Sequence, residues 1–358
     1  MEDIMKYDLM EILLKGIELN ASDVHFTVNM PPILRVRGDL VPFGNEILTP
    51  EDTRDIVYQI LNEEKRGTFE TRGEVDFSWS LPQTNRYRVN AFRQRGSCAA
   101  ALRMINTKIP TVEELSLPPI LNSMALKPRG LFLVTGPTGS GKSTTLAAMV
   151  GHINNNRQCH ILTIEDPIEY MHKHNKCMVN QREIGSDSQS FANALRAALR
   201  EDPDVILVGE MRDFETISTA ISAAETGHFV MSTLHTTTAA QTVDRIIDTF
   251  PPHQQQQVRT QLSLILQGIV CQQLIKTADG KKLVPAMEVL IANDAVRNLI
   301  REGKNHQIDT VLQTSVKNGM MPMDFSLAQL AKSKIITTED AYTRCVDPEI
   351  FKRYMTML

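Results

Sequence analysis

The stretch Gly136-Pro137-Thr138-Gly139-Ser140-Gly141-Lys142-Ser143-Thr144, preceded by the apolar run Leu131-Phe132-Leu133-Val134, constrains this chain more than any other. Its spacing, G-x-x-x-x-G-K-S between an apolar strand and a helix, is that of a phosphate-binding loop. Glycines at 136, 139 and 141 let successive backbone N–H groups turn toward a polyphosphate. The helix expected from about Lys142 adds the positive end of its dipole. Lys142 supplies a point charge for the β- and γ-phosphates, and the Ser143 hydroxyl is placed to hold Mg²⁺. The alternative is a glycine-rich turn that binds nothing, and a full match with both flanks argues against it. The chain is therefore expected to bind a nucleoside triphosphate with Mg²⁺.

With 358 residues, two or three domains can each bury a core. A net charge of −4 with 22% charged residues argues against a strongly cationic nucleic-acid binder. A DNA motor would betray itself by salt-dependent DNA binding, and no nucleic-acid partner is expected. The five cysteines (Cys98, Cys159, Cys177, Cys271 and Cys345) form no C-x-x-C pair, so reduced thiols are expected rather than a disulfide framework or zinc site. The opening MEDIMKYDLMEILLKG is too acidic for a secretory signal. No stretch approaches the roughly 20 apolar residues of a membrane span. A cytoplasmic protein is expected, touching a membrane only through partners.

The first part of the chain alternates short helical and strand patterns. Ile4, Leu9, Ile12, Leu13 and Ile17 make a helical stripe, and 22–28 and 33–38 alternate at period two around Pro31-Pro32 and Gly38-Asp39. Residues 50–70 read as helix, capped by Thr49-Pro50-Glu51-Asp52. Residues 75–79, 86–92 and 99–105 return to strand. Residues 1–108 thus predict a small α+β domain with an antiparallel sheet, and Pro110, Pro118 and Pro119 mark a linker over 109–124. From 125 to 285, apolar strands alternate with helices, which predicts an α/β fold with a parallel sheet covered on both faces. Residues 286–358 read as helices, one of them with Val296, Leu299 and Ile300 inward and Arg297, Asn298, Arg301 and Glu302 outward.

In a parallel α/β sheet, ligands sit beyond the carboxyl ends of the strands. Four apolar strands here end in the phosphate loop, Glu165-Asp166, Glu210 and His235. Hydrolysis needs Mg²⁺ on the phosphate oxygens and a group that orients or deprotonates water. Glu165 is assigned as the base and Glu210 as the acid of the metal site, beside Ser143; the reverse division stays open. Glu169 and Asp202 read as surface charges, and Asp204 as a turn residue before its strand. A structural histidine is the ordinary reading of His228, whereas His235, at a strand end beside the site, is a candidate phosphate sensor. Arg86, Arg88, Arg93 and Arg95 read as a solvated strand face or as arginines supplied to a neighbouring subunit.

Taken together, GPTGSGKST (136–144), IEDPIEY (164–170), LREDPDVILVGEMRD (199–213) and TGHFVMSTLHT (226–236) resemble the Walker A, Asp box, Walker B and His box of the type II/IV secretion ATPases. ASDVHF (21–26) and RYRVNAF (86–92) extend the likeness to the N-terminal part. AVRNLIREGK (295–304) looks like the signature of the pilus-retraction branch, with Val296 in place of its usual Ile. The four-cysteine zinc motif of the assembly ATPases is absent from the sequence. The resemblance implies a PAS-like N-terminal domain, a RecA-like P-loop NTPase core and a helical C-terminal segment. It implies a homohexameric ATPase motor for type IV pilus retraction and twitching motility, with Arg88 or Arg103 near the phosphates. Its expected partners are an inner-membrane pilus platform protein and a second retraction ATPase, at the inner face of the cytoplasmic membrane. An accessory retraction ATPase, or a secretion ATPase with another cargo, is the alternative.

Overall fold

The computed structural model describes residues 7–81, 85–105 and 107–358. Ile4, placed in the first helical stripe, lies outside them. The chain divides into two compact units, 1–107 and 108–358.

The first unit contains α1 (Leu9–Glu18), β1 (Asp23–Phe26), β2 (Ile33–Val36), β3 (Asp39–Pro42), α2 (Pro50–Ile60), α3 (Glu63–Arg72), β4 (Glu74–Leu81), β5 (Asn85–Gln94) and β6 (Ser97–Met104). Its strands form an antiparallel sheet in the order β3-β2-β1-β6-β5-β4. The expected cap of α2 is a capping box: Thr49 Oγ1 accepts from the Asp52 N–H, and the Asp52 carboxylate accepts from the Thr49 N–H. The single helix expected over 50–70 is two helices. Asn62 starts the second by accepting from the Lys65 N–H. Strand β3 follows a tight turn through Arg37 (φ 54°) and Gly38 (φ 96°), and all its residues are exposed. With neither face buried, it left no alternation in the sequence.

The second unit contains α4 (Ile120–Ala125), β7 (Gly130–Thr135), α5 (Lys142–Asn156), β8 (His160–Glu165), β9 (Met178–Glu183), α6 (Phe191–Ala198), β10 (Val205–Val208), α7 (Phe214–Glu225), β11 (Phe229–Leu234), α8 (Ala239–Asp248), α9 (Pro252–Ile265), β12 (Leu266–Lys276), β13 (Leu283–Ile291), α10 (Asp294–Glu302), α11 (Ile308–Thr314), α12 (Met323–Lys332), α13 (Thr338–Arg344) and α14 (Pro348–Met357). The sheet order is β13-β12-β7-β11-β10-β8-β9, parallel except for β13. Alternate residues of β7 serve opposite cores. Leu131 and Leu133 join residues of α6, α7, α8 and α9, while Phe132 and Val134 join residues of α4 and α5. A strand buried on both faces reads as an unbroken apolar run, as β7, β10 and β11 do.

Three features differ from the sequence expectation. Val112, Leu117 and Leu121, in the stretch read as a linker, are buried in the second unit's core. Residues 286–291, read as helical, belong to a strand, Leu283–Ile291, antiparallel to β12. The apolar run there is too short for its period to distinguish strand from helix. The helices that follow contribute Val296, Ile300, Leu327 and Phe351 to the same core as α8 and α9. Arg297, expected on the outward face of α10, is tucked against α9. Its guanidinium donates to the carbonyls of Ser263 (2.7 Å) and Leu264 (2.8 Å), closing that helix's C-terminus. Arg301 is exposed, as expected.

Glu288 on β13 is a buried carboxylate between helix starts. It accepts the Ala239 N–H at the start of α8 (2.7 Å) and the Met323 N–H at the start of α12. Burial, reinforced by the nearby Asp309 charge, raises its pKa from 4.5 to about 7. The folded chain therefore holds a proton that the unfolded chain has released. Stability that is present below pH 4.5 is lost as pH rises through about 7. Glu288→Gln keeps an acceptor without the charge. Urea unfolding between pH 5 and 8 should show the wild type losing on the order of 2–4 kcal/mol relative to the variant. Parallel pH profiles would contradict this.

Candidate nucleotide site

The loop after β7 is held open by backbone conformation. Gly136, Gly139 and Gly141 have φ of 141°, 77° and 86°, values that a Cβ resists. At Gly136, moreover, a Cβ would stand 2.2 Å from the Gln272 carbonyl oxygen. Helix α5 then starts at Lys142 with Gly141 as its N-cap and no side-chain cap, unlike α6, α7 and α8, which are capped by Ser190, Asp213 and Thr238. Its first N–H groups thus lack a side-chain acceptor, as an anion site requires.

A cavity of about 570 Å³ opens over this loop, lined by Thr138 to Thr144, Glu165, Glu169, Tyr170, Glu210, Arg212 and His235 among others. The four strand ends expected to share one edge all reach it. Lys142 Nζ donates to the carbonyls of Gly136 (2.9 Å) and Pro137 (3.0 Å), which fold the side chain back over the loop. Burial pulls its pKa below the ordinary lysine value, against the charges of Glu169 and Glu210. A phosphate would restore the pairing that burial lacks.

The two acids sit in different surroundings. Glu165 Oε1 accepts from Thr163 Oγ1 (2.6 Å) and from Gln181 Nε2 (3.2 Å). Burial nonetheless raises its carboxyl above the ordinary range. Glu210 lies in a short connection pinned on both sides. The Gly209 N–H donates to Ile164 O (2.7 Å), and the Met211 N–H donates to Thr233 O (3.2 Å). Its Oε2 is 2.7 Å from Arg212 Nη2 and 3.9 Å from His235 Nε2. Ser143 and Glu210 offer hard oxygen donors to the cavity. Among the described residues no cluster of three or more His, Cys, Asp or Glu could hold a metal alone. Two protein oxygens beside a polyphosphate fit Mg²⁺, which keeps waters and phosphate oxygens as its other ligands.

The remaining sequence candidates fall in several places. His228 Nδ1 is 2.9 Å from Ala223 O, a structural role at the end of α7. Asp204 Oδ2 accepts the His160 N–H (2.8 Å) ahead of β10, as a turn residue does. Glu169, read as a surface charge, lines the cavity. Arg88 and Arg103 are on the first unit's sheet, opposite one another across β5 and β6. Arg103 Nε is 2.9 Å from Asp23 Oδ1, so it is held by a carboxylate, while Arg88 is exposed. The four arginines read as one strand face do not share it. Arg93 lies with its guanidinium 5.5 Å from the Phe69 ring centroid, and Arg95 occupies a turn at φ 49°. Sequence reasoning missed Tyr170, whose hydroxyl is 3.0 Å from Thr144 Oγ1, and it also missed Gln181 and Gln272. Tyr170 stood in the acidic stretch; the two glutamines carried no local signal.

A phosphate loop at the end of a buried parallel strand, faced by two carboxylates and a histidine from neighbouring strand ends, defines a P-loop nucleoside-triphosphatase. The chain belongs to the type II/IV secretion system protein family, whose model matches residues 2–339. It is 47% identical to the type IV pilus retraction ATPase PilT of Pseudomonas aeruginosa, over 96% of this chain and all of the relative. It is 45% identical to the type IV pilus ATPase PilU of the same organism, over 91% of this chain and 85% of the relative. A crystal structure of the pilus retraction motor PilT with bound ADP superposes with a TM-score of 0.87 at 50% identity, covering 97% of this chain and all of that one. The core is thus RecA-like, and the chain is an ATPase of this family.

Two substitutions test the site. Lys142→Ala should bring ATP hydrolysis to background in a folded chain. Glu165→Gln should leave ATP binding intact and slow turnover by roughly 10²–10⁴, the usual contribution of a positioned base. A base must be deprotonated, so wild-type turnover should rise with pH through the raised Glu165 pKa, and the variant should lose that limb. If Glu210→Gln alone trapped ATP in this way, the division of roles would be reversed.

Proposed function

We propose that this chain is a homohexameric, Mg²⁺-dependent motor that hydrolyses ATP to ADP and phosphate and so retracts type IV pili, giving twitching motility. The observation that carries the reading is the 47% identity to PilT along that protein's whole length. The shared cavity supports it, since the loop, both acids and His235 line the same space.

Within the site, the loop amides and Lys142 bind and orient the β- and γ-phosphates. Glu165 takes a proton from the attacking water, and burial makes its carboxylate a stronger base than an exposed one. His235, close to Glu210, senses the transferred phosphate. Ser143 and Glu210 would hold Mg²⁺, which would supply positive charge against the phosphates. Arg88 or Arg103 of one subunit serves the phosphates of its neighbour. The ring works at the inner face of the cytoplasmic membrane on a pilus platform protein, alone or with a second retraction ATPase. We retain the PAS-like assignment of residues 1–108, followed by the ATPase core and a helical segment after β13, as part of this proposal.

The 45% identity to PilU favours an accessory retraction role as the second reading. Deleting the gene in its host and counting surface pili separates these. A primary retraction motor predicts hyperpiliated, non-twitching cells that Lys142→Ala fails to rescue. Persistent but weakened retraction would assign the accessory role, and loss of pili would overturn retraction altogether.

A further inference from the structure

Strand β12 is longer than its neighbour β7. The two pair through Cys271 opposite Thr135, where β7 ends. From Gln272 onward, β12 keeps β13 on one side and has the phosphate loop, rather than β7, on the other. Gln272 is 2% exposed and touches the loop at two points and α5 at a third. Its carbonyl oxygen occupies the space beside Gly136, at the loop's entry. Its Nε2 donates to Ser140 O at 2.7 Å, and its Oε1 accepts from Thr145 Oγ1, in the first turn of α5, at 2.7 Å. The carboxamide's orientation is fixed by chemistry, since a carbonyl oxygen can only accept and so must face the NH₂ end.

The bond to Ser140 has a directional consequence. In a trans peptide, the carbonyl of one residue and the N–H of the next point to opposite sides. Holding Ser140 O against β12 therefore aims the Gly141 N–H away from β12. Gly141 is also where the backbone is freest to turn, at φ 86° with no Cβ. Without the carboxamide, Ser140 O and Thr145 Oγ1 would be left buried without these partners, and the peptide would be free to rotate. We infer that Gln272 is a positioning residue for nucleotide binding, which presets the Ser140–Gly141 peptide and ties the loop to the first turn of α5. This inference rests on the phosphate loop being the nucleotide site, as proposed above.

The test is equilibrium binding of fluorescent ADP to the full chain, with steady-state ATPase kinetics alongside. Gln272→Met conserves volume and removes both hydrogen bonds. It should weaken ADP binding about tenfold, because the freed Ser140–Gly141 peptide must then be ordered at the binding step. KM for ATP should rise with it, while kcat at saturation stays within about threefold, because the loop binds ground and transition states alike. Thr145→Val removes only one of the bonds and should weaken ADP binding less. In the double variant it should add nothing further, since its partner is already gone. A merely structural role would lower the melting temperature and leave Kd and KM unchanged. Unaltered ADP affinity in folded Gln272→Met would overturn the inference, as would full additivity of the two substitutions. Failure of the wild type itself to bind ADP would instead overturn the assignment of the loop.

Discussion

Parallel pairing is the constraint on which the site depends. Strands β7, β11, β10 and β8 lie side by side and run the same way, so the residues that follow each of them emerge at one edge. Had one of them been antiparallel, its terminal polar residue would stand at the far end of the sheet. The pairing is itself a consequence of burial: each of these strands feeds two apolar cores, and a slip in register would carry side chains to the wrong face. The packing of Leu131 and Phe132 thus places Lys142, Glu165, Glu210 and His235 around one cavity.

Within that arrangement, the charged groups are settled in different ways. Lys142 is folded onto loop carbonyls, with no carboxylate of the described residues in direct contact and a pKa lowered by burial. Glu165 is shielded and hydrogen-bonded, whereas Glu210 is drawn toward Arg212 and His235. Two carboxylates on adjacent strands thereby acquire different surroundings and different partners, the condition for giving them different roles. An entering triphosphate supplies the negative charge that the uncapped start of α5 and the retracted Lys142 lack.

Much of this was legible in the sequence because its signals are local. The loop pattern, the apolar runs and the polar residue after each run occupy a few consecutive positions, so Lys142, Glu165, Glu210 and His235 could be named before any fold was known. What was hidden depends on register between distant segments. Gln272 reaches Ser140 from 132 positions away, and Gln181 meets Glu165 only because β9 pairs with β8. Strand β13 was hidden because a short apolar run has no distinguishing period. Arg297 was misplaced because a helical wheel reports the direction of a side chain and not the bare helix end beside it. The arginines near 90 looked like one face until the turn at Arg95 and the Phe69 contact separated them.

A crystal structure of the full chain with Mg²⁺ and a non-hydrolysable ATP analogue tests the central claim most directly. The account predicts the β- and γ-phosphates cradled by the N–H groups of residues 139–144, with Lys142 Nζ moved toward them. It also predicts a magnesium ion touching Ser143 Oγ, with Glu165 Oε2 facing the γ-phosphate across one water. A nucleotide bound elsewhere would contradict the account, as would a triphosphate in the loop with both Glu165 and Glu210 turned away from it.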